Sequence, residues 1–410
     1  MTDTLIPRDA EDVRDAVQWA LGEGSALEII GQGSKRPLGR PAQADLTLDL
    51  SGLTGVTLYE PEELVLSARA GTPLSEIEAL VAAKGQQLAF EPMDYAPLLG
   101  GQPSRGTIGG MLAANLSGPR RIKAGAARDH FLGFAAVSGR GDIFKSGGRV
   151  VKNVTGYDLC KLMAGSWGTL AAMTEVTIKV LPRPETETTV LVLGLDDTAA
   201  VRAMAAAMGS SCEVSGAAHL RAAVAARIPL GDAVASGRAV TALRLEGVPP
   251  SVAHRSAELQ AVMRTFGAVA ALDDTRSRGL WREIRDVTPF AAHRTGADQP
   301  LWRISTAPAK GAELARAIAA AAEAEMLYDW AGGLLWVLIA SADDAAAAPV
   351  RAAVKACGGH AMLVRAPAAL RAAAAVFEPQ DQALAALTRR VKESFDPKGI
   401  FNPGRIYAGM

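Results

Sequence analysis

The sequence predicts an α+β chain in two parts, and three observations predict it. Glycine is frequent, 41 of 410 residues, and its clusters fall before residue 170. Pro182-Arg183-Pro184 interrupts the chain directly after a run that alternates like a strand. Beyond residue 185, short apolar runs alternate with Ala-rich helical stretches, the pattern of helices packed on one face of a sheet.

Residues 11–21 place Val13, Val17 and Leu21 at helical spacing. Ala26–Ile30, Leu46–Leu50 and Leu64–Ala70 read as strands. Thr72-Pro73 caps a helix through Leu80 to Lys84, with Gly85 just past its end. Phe134–Ser138 and Asp142–Ser146 flank Gly139-Arg140-Gly141 as a hairpin. Leu170–Val180 alternates at Thr174, Val176, Ile178 and Val180. In the second part the predicted strands are Val190–Leu193, Val240–Leu245, Leu301–Ser305, Leu334–Ile339 and Met362–Val364. A helix is predicted over Glu313–Ala324, and a last one from Gln380 to Glu393.

Composition narrows the function. Lys plus Arg and Asp plus Glu are both 43, so the formal net charge is zero. Nucleic-acid binders carry a basic excess to neutralise phosphates, so no nucleic-acid partner is expected. Cys160, Cys212 and Cys357 are far apart, which excludes a zinc knuckle and an internal iron–sulfur cluster of about four ligands. The five His residues are scattered at 130, 219, 254, 293 and 360, so no metal site is expected. The N-terminus lacks the basic and apolar segments of a signal peptide, and no run of ~18 apolar residues occurs. A cytoplasmic protein without a transmembrane segment is expected, peripheral at the inner membrane at most through a complex.

Two glycine-rich loops carry the chemistry. Gly31-Gln32-Gly33-Ser34-Lys35 follows a strand, so backbone N–H groups converge there and Lys35 adds charge, a combination suited to a phosphate or diphosphate. Pro37 prevents a helix from starting directly after it, which argues against a Rossmann or P-loop unit. An ordinary glycine turn is the alternative. The second segment runs from Gly106 through Thr107-Ile108-Gly109-Gly110 to Asn115, Ser117 and Gly118. Its glycines allow a flat ligand to approach the backbone, or else mark tight packing.

A third segment reads Val151-Lys152-Asn153-Val154-Thr155-Gly156-Tyr157-Asp158-Leu159, followed by Gly165-Ser166-Trp167-Gly168-Thr169-Leu170. The whole order resembles the FAD-binding domain of the vanillyl-alcohol-oxidase, PCMH-type flavoprotein family. Phe395-Asp396-Pro397-Lys398-Gly399-Ile400-Phe401-Asn402-Pro403-Gly404-Arg405 resembles the ending of its 2-hydroxy-acid branch. The resemblance implies an α+β fold: a two-lobed PCMH-type FAD-binding domain over 1–185, a separate α+β cap over 186–375, and a segment 376–410 returning to the FAD domain. It implies FAD held by Gly31, Gln32, Gly33, Ser34, Lys35, Gly39, Pro103, Thr107, Ile108, Gly109, Gly110, Ala113, Asn115, Ser117, Gly118, Arg128, Lys152, Asn153, Gly156, Tyr157, Asp158 and Asn402. Relatives that tether FAD use a His near the first loop. None precedes His130, so the FAD is expected to be noncovalent.

D-lactate and glycolate dehydrogenases of the family carry an HxGDGNxH stretch in the cap. The matching region, Tyr328-Asp329-Trp330-Ala331-Gly332-Gly333-Leu334-Leu335-Trp336, has no His. No catalytic base is assigned. Arg303, on a predicted strand, is the candidate for a substrate carboxylate, a salt bridge on the sheet face being the alternative. Arg120, Arg121, Lys123 and Arg128 form a basic cluster in which Arg120 or Arg128 faces cofactor phosphate, a partner or solvent. The departure is similar to the flavin-binding subunit of three-part glycolate dehydrogenases. That implies a GlcD-like flavoprotein partner, a GlcF-like iron–sulfur partner, and glycolate or a related 2-hydroxy acid as substrate. A self-sufficient 2-hydroxy-acid dehydrogenase and a noncatalytic flavin-binding scaffold are the alternatives.

Overall fold

The first helix, Ala10–Glu23, forms where the sequence sets Val13, Val17 and Ala20 on one face and brackets them with caps. Asp9 accepts from the Asp12 amide at 2.8 Å, and Gly24 closes the C-terminus in the left-handed region. That face packs on a small parallel sheet ordered Asp3–Leu5, Leu46–Asp49, Leu27–Ile30. A five-stranded antiparallel sheet follows, ordered Val56–Glu60, Val65–Arg69, Ala171–Lys179, Phe131–Ser138, Ile143–Gly147. These elements come from a computed structural model, which describes residues 3–149, 156–229, 237–340 and 344–410.

The second part is one eight-stranded antiparallel sheet. Its order is Ala268–Leu272, Thr186–Leu193, Val240–Gly247, Gly216–Leu220, Ala324–Asp329, Leu334–Ile339, Leu301–Ser305, His360–Arg365. Alternation along Thr186–Leu193 shows how it is used. Val190 and Val192 pack under the helices Asp197–Met208 and Pro249–Met263, whereas Leu191 and Leu193 join the core shared with the first part. Trp302, Ile304, Val337 and Ile339 likewise meet the helices Gly311–Ala319 and Ala347–Cys357.

Two sequence expectations change. Helices do not keep to one face: Asp274–Arg285 puts Leu280, Trp281 and Ile284 on the face toward the first part, where the Trp281 indole donates to Thr189 Oγ1 at 2.8 Å. The helix predicted over Glu313–Ala324 ends at Ala319, and Ala324 begins a strand. Alanine favours helix, but pairing with Leu334–Ile339 overrides that propensity.

The chain's end packs on the first part. Lys392 sends its ammonium to the carbonyls of Thr169 and Phe401 and to Asp396, and Asp396 accepts from the amides of Ile400 and Phe401. Leu27 donates its N–H to Ile400 O at 2.7 Å and bridges Phe401.

Candidate functional site

Two of the clefts lined by Trp167 hold the residues singled out in the sequence. The first, of about 710 Å³, is built where Leu27–Ile30 runs into Gly31–Lys35. Its opposite wall is the short helix Ile108–Ala113, capped by Thr107, whose hydroxyl accepts from the Gly110 amide at 3.2 Å. The two loops approach so closely that a Cβ at Gly31 would sit 2.5 Å from Thr107 Oγ1. Trp167, Gly168, Ala171 and Met173 form the third wall.

Lys35 is the charge in this cleft. Its side chain is half-buried, with the ammonium enclosed, and its hydrogen bond is to Ser34 Oγ at 3.2 Å. Among the described residues no carboxylate pairs with it. Burial pushes the ammonium down to about 8; the charge of Asp94 opposes that and Arg405 adds to it. Arg405 supports the loop from behind by donating to Lys35 O at 2.7 Å, and burial lowers its guanidinium to about 10.

The second cleft, of about 970 Å³, lies between the first part and the large sheet. Strand pairing sets its floor. Arg303 lies opposite Met362 and Ser305 opposite His360, so one face of two neighbouring strands presents Arg303, Ser305, His360 and Met362 together. Arg121 comes from the first part. The Arg121 and Arg303 guanidiniums lie 4.2 and 5.0 Å from the centroid of the Trp330 indole. Trp330 is held at a turn where it and Ala331 both have positive φ, 51° and 57°. Its Nε1–H donates to Gly118 O at 3.0 Å, and its amide to Asp329 Oδ1 at 2.7 Å.

Charges in this cleft are unevenly compensated. Among the described residues neither Arg121 nor Arg303 pairs with a carboxylate. Glu378, which also lines the cleft, is engaged by Arg351 and by the Ala361 amide. Burial, then the charges of Arg303 and Arg128, lower the Arg121 guanidinium. Burial, then Arg303, lowers His360, while Glu378 opposes this. Buried Asp329 is pushed up to about 7, chiefly by burial.

The structure sorts the sequence candidates. Gly31, Gln32, Gly33, Ser34, Lys35, Thr107, Gly109, Gly110 and Ala113 line the first cleft; Asn115, Ser117, Arg128 and Arg303 line the second. Four others are placed behind the walls. Ile108 is in the core, Gly39 turns at φ 82° against Arg405, and Gly118 abuts Glu91 O. Asn402 is buried, accepting from the Ile29 amide and donating to Trp167 O, each at 2.9 Å. Pro103 is exposed on a loop, and Tyr157 is 89% exposed. Neither lines a cleft, nor do Gly156 and Asp158; Asp158 instead caps the helix Leu159–Met163. Lys152 and Asn153 lie outside the described residues.

Two expectations are corrected. Arg120 faces neither cofactor nor solvent: it is buried, paired with Glu246 at 2.6 Å and Glu91 at 3.2 Å. Arg303 makes no salt bridge across the sheet face among the described residues. His360, exposed at the start of its strand, lines the second cleft. Arg121, Trp167 and Arg405 carry no role readable from the sequence, because contacts between segments far apart in the chain bring them to the clefts; Trp330, readable as lining the flavin, contacting a subunit or packing in the core, lies at the second cleft. Among the described residues no three His, Cys, Asp or Glu gather into a metal-sized group, and no helix is long and apolar enough to cross a membrane.

Residues 4–147 match the FAD binding domain family, and residues 370–406 match the C-terminal domain of FAD linked oxidases. The p-cresol methylhydroxylase structure with substrate bound superposes with a TM-score of 0.71 over 99% of this chain and 88% of that chain, at 13% identity. Fold and family matches together define an FAD-linked oxidoreductase with a PCMH-type FAD-binding fold. The chain is 32% identical over 398 residues, 97% of each chain, to the glycolate oxidase subunit GlcE of Escherichia coli K12, and it belongs to that family. It is also 34% identical over 153 residues, 37% of this chain and 31% of the other, to the glycolate oxidase subunit GlcD of Bacillus subtilis 168.

Proposed function

We propose that this chain is the FAD-binding subunit of a multi-subunit glycolate dehydrogenase, oxidising glycolate to glyoxylate with a second flavoprotein and an iron–sulfur subunit. The observation that carries the reading is similarity to GlcE along 97% of both chains. The partial likeness to GlcD supports a paired flavoprotein.

The residues present fit the cofactor. Gly31–Lys35 and Thr107–Gly110 line one cleft, held so close that a Cβ at Gly31 would clash with the Thr107 side chain, and the enclosed Lys35 ammonium lacks a carboxylate among the described residues. In this reading these groups hold the FAD diphosphate, with Arg405 and Asn402 stiffening the loop and the adjoining wall. Bound FAD supplies a two-electron acceptor for the substrate C–H bond. The chain binds it noncovalently: no His precedes His130, and Cys160 is buried with its thiol pushed up to about 12.

Electrons must then leave. Cys160, Cys212 and Cys357 are too few and too scattered for a cluster, so the reading places the relay on a cysteine-rich partner and localises the complex to the cytoplasm, at the membrane face only through its partners. Tagged chain purified from its native cells tests this. A second flavoprotein and a cysteine-rich protein should co-purify, and the assembly should reduce a quinone analogue with glycolate. A chain that comes down alone and turns glycolate over at full rate would overturn the reading.

A further inference from the structure

The exit of the first glycine-rich loop is gripped from a distant part of the chain. Arg371, on the short helix Ala368–Ala373 that follows the strand His360–Arg365, is buried and donates from Nη1 to Gly39 O at 2.6 Å. Its Nε–H donates to Ala366 O at 3.1 Å, within its own segment. In the opposite direction, Arg40 sends Nη1 to Ala374 O at 3.4 Å. Among the described residues Arg371 pairs with no carboxylate, although taking a guanidinium out of water is costly unless something compensates it. Carbonyl dipoles hold it instead, and one of them belongs to the loop.

The place of Gly39 in that loop gives the contact its meaning. Gly39 turns at φ 82°, and a Cβ there would stand 3.1 Å from Arg405 O, so the turn needs glycine. Arg405 O also accepts the Arg40 amide at 3.0 Å, while Arg405 Nη2 donates to Lys35 O at 2.7 Å. Two tight turns connect the gripped carbonyl to the cradle: Leu38 N–H donates to Lys35 O at 3.1 Å, and Arg36 N–H to Gly33 O at 3.0 Å. The peptide units from Gly33 to Gly39 are thus braced by Arg405 at Lys35 and by Arg371 at Gly39. A nest of N–H groups binds an anion best when it is already ordered, because ordering it on binding subtracts from affinity. Arg371 also brings charge: burial lowers its guanidinium, and at Arg405 the charge of Arg371 adds to burial while Glu28 opposes both. Two buried cations therefore stand behind the cradle.

We infer that Arg371 is a positioning residue for the cofactor: through Gly39 O it fixes Gly31–Lys35 in the arrangement that receives the diphosphate of FAD. The inference rests on the reading of Gly31–Lys35 as the diphosphate cradle. It adds that cofactor affinity depends on a residue that lines neither cleft.

Titration of the full chain, stripped of flavin, with FAD and with ADP tests it; ADP reads the diphosphate contacts without the flavin ring. Arg371→Gln should weaken both about tenfold, by a similar factor. Arg371→Lys, which keeps a cationic donor for Gly39 O, should recover both to within about threefold of the parent. Gly39→Ala strains the same turn from the loop side and should weaken both about as much as Arg371→Gln. Arg365→Gln is the control, because Arg365 is also a buried cation held by carbonyls, those of Leu98, Phe290 and Gln299, none of them in the loop. It should lower the melting temperature and leave both affinities within about twofold of the parent. If Arg371→Gln or Gly39→Ala binds FAD and ADP as the parent does while Lys35→Met binds both weakly, the inference fails and the cradle reading stands. If Lys35→Met leaves both affinities unchanged, the cradle reading fails and takes the inference with it. Losses as large in Arg365→Gln as in Arg371→Gln would also overturn the inference, since they would mark a general loosening of the chain.

Discussion

Replacing Arg244 with leucine should cost about 4 kcal/mol of folding stability at pH 8, because it breaks a buried charge network joining the two parts of the chain. Arg244 is 1% exposed and gives both terminal nitrogens to Glu91, each at 2.8 Å, while its guanidinium lies 4.6 Å from the Trp281 ring centroid. Arg120 closes the ring by binding Glu246 at 2.6 Å and Glu91 at 3.2 Å. Glu187 stands beside Arg244 as a third carboxylate. The substitution leaves three buried carboxylates with Arg120 and the more distant Arg278. Removing one partner of a buried pair costs roughly 3–5 kcal/mol, and the lost aromatic contact adds up to about 2, which relaxation of the carboxylates partly offsets.

The pH dependence fixes the sign. In the parent, Glu246 is held down to about 2 and Glu91 below its ordinary value, chiefly by Arg244 and Arg120 against burial. Their stabilisation is full above about pH 4.5 and is lost as pH falls toward 2. In Arg244→Leu, burial prevails and the same carboxylates rise above their unfolded values. The penalty is then largest at pH 8 and shrinks toward pH 5 as they protonate. Urea denaturation followed by tryptophan fluorescence at pH 8, 6.5 and 5 measures it. A loss below about 1 kcal/mol at pH 8, or one that grows as pH falls, would refute the reasoning.

Other substitutions probe the cradle and its supports. Lys35→Met should weaken FAD binding about tenfold to a hundredfold, from loss of a charge-assisted contact of about 1.5–3 kcal/mol, as measured by flavin fluorescence titration. Since the free ammonium titrates near 8, FAD affinity of the parent should fall between pH 7 and 9, and Lys35→Met should flatten that slope. Lys392→Met leaves Asp396 as a buried carboxylate without its cation, 2.6 Å away in the parent; it should lose about 3–5 kcal/mol in thermal or urea unfolding. Gly110→Val should lower flavin occupancy through its side chain alone, because the added Cβ meets Thr107 Oγ1 at 3.0 Å and Lys35 Nζ at 3.7 Å, and Gly110 has no positive φ to lose.

What could be read from the sequence was local. The hairpin around Gly139-Arg140-Gly141 and the strand Ala171–Lys179 carry their own turn and alternation signals, and both form with ends shifted by a few residues. Gly216–Leu220 was invisible because all five residues are buried, which erases the polar alternation that marks a strand. The cradle was legible for the same local reason, since Gly31–Lys35 and Thr107–Gly110 are each one short loop. The second cleft was not: Arg121, Arg303, Trp330 and His360 meet only through strand pairings and the packing of the large sheet on the first part. Arg120 and Arg121 are adjacent in sequence yet one is locked in a buried network and the other lies over Trp330, a distinction that only tertiary structure makes.

The flavin content of the isolated chain tests the central claim most directly. Protein purified alone and precipitated with acid should carry one FAD per chain, with all of the yellow colour in the supernatant. A chain that purifies without flavin and binds none when FAD is added, or a pellet that keeps its colour, would contradict a noncovalent FAD held between Gly31–Lys35 and Thr107–Gly110.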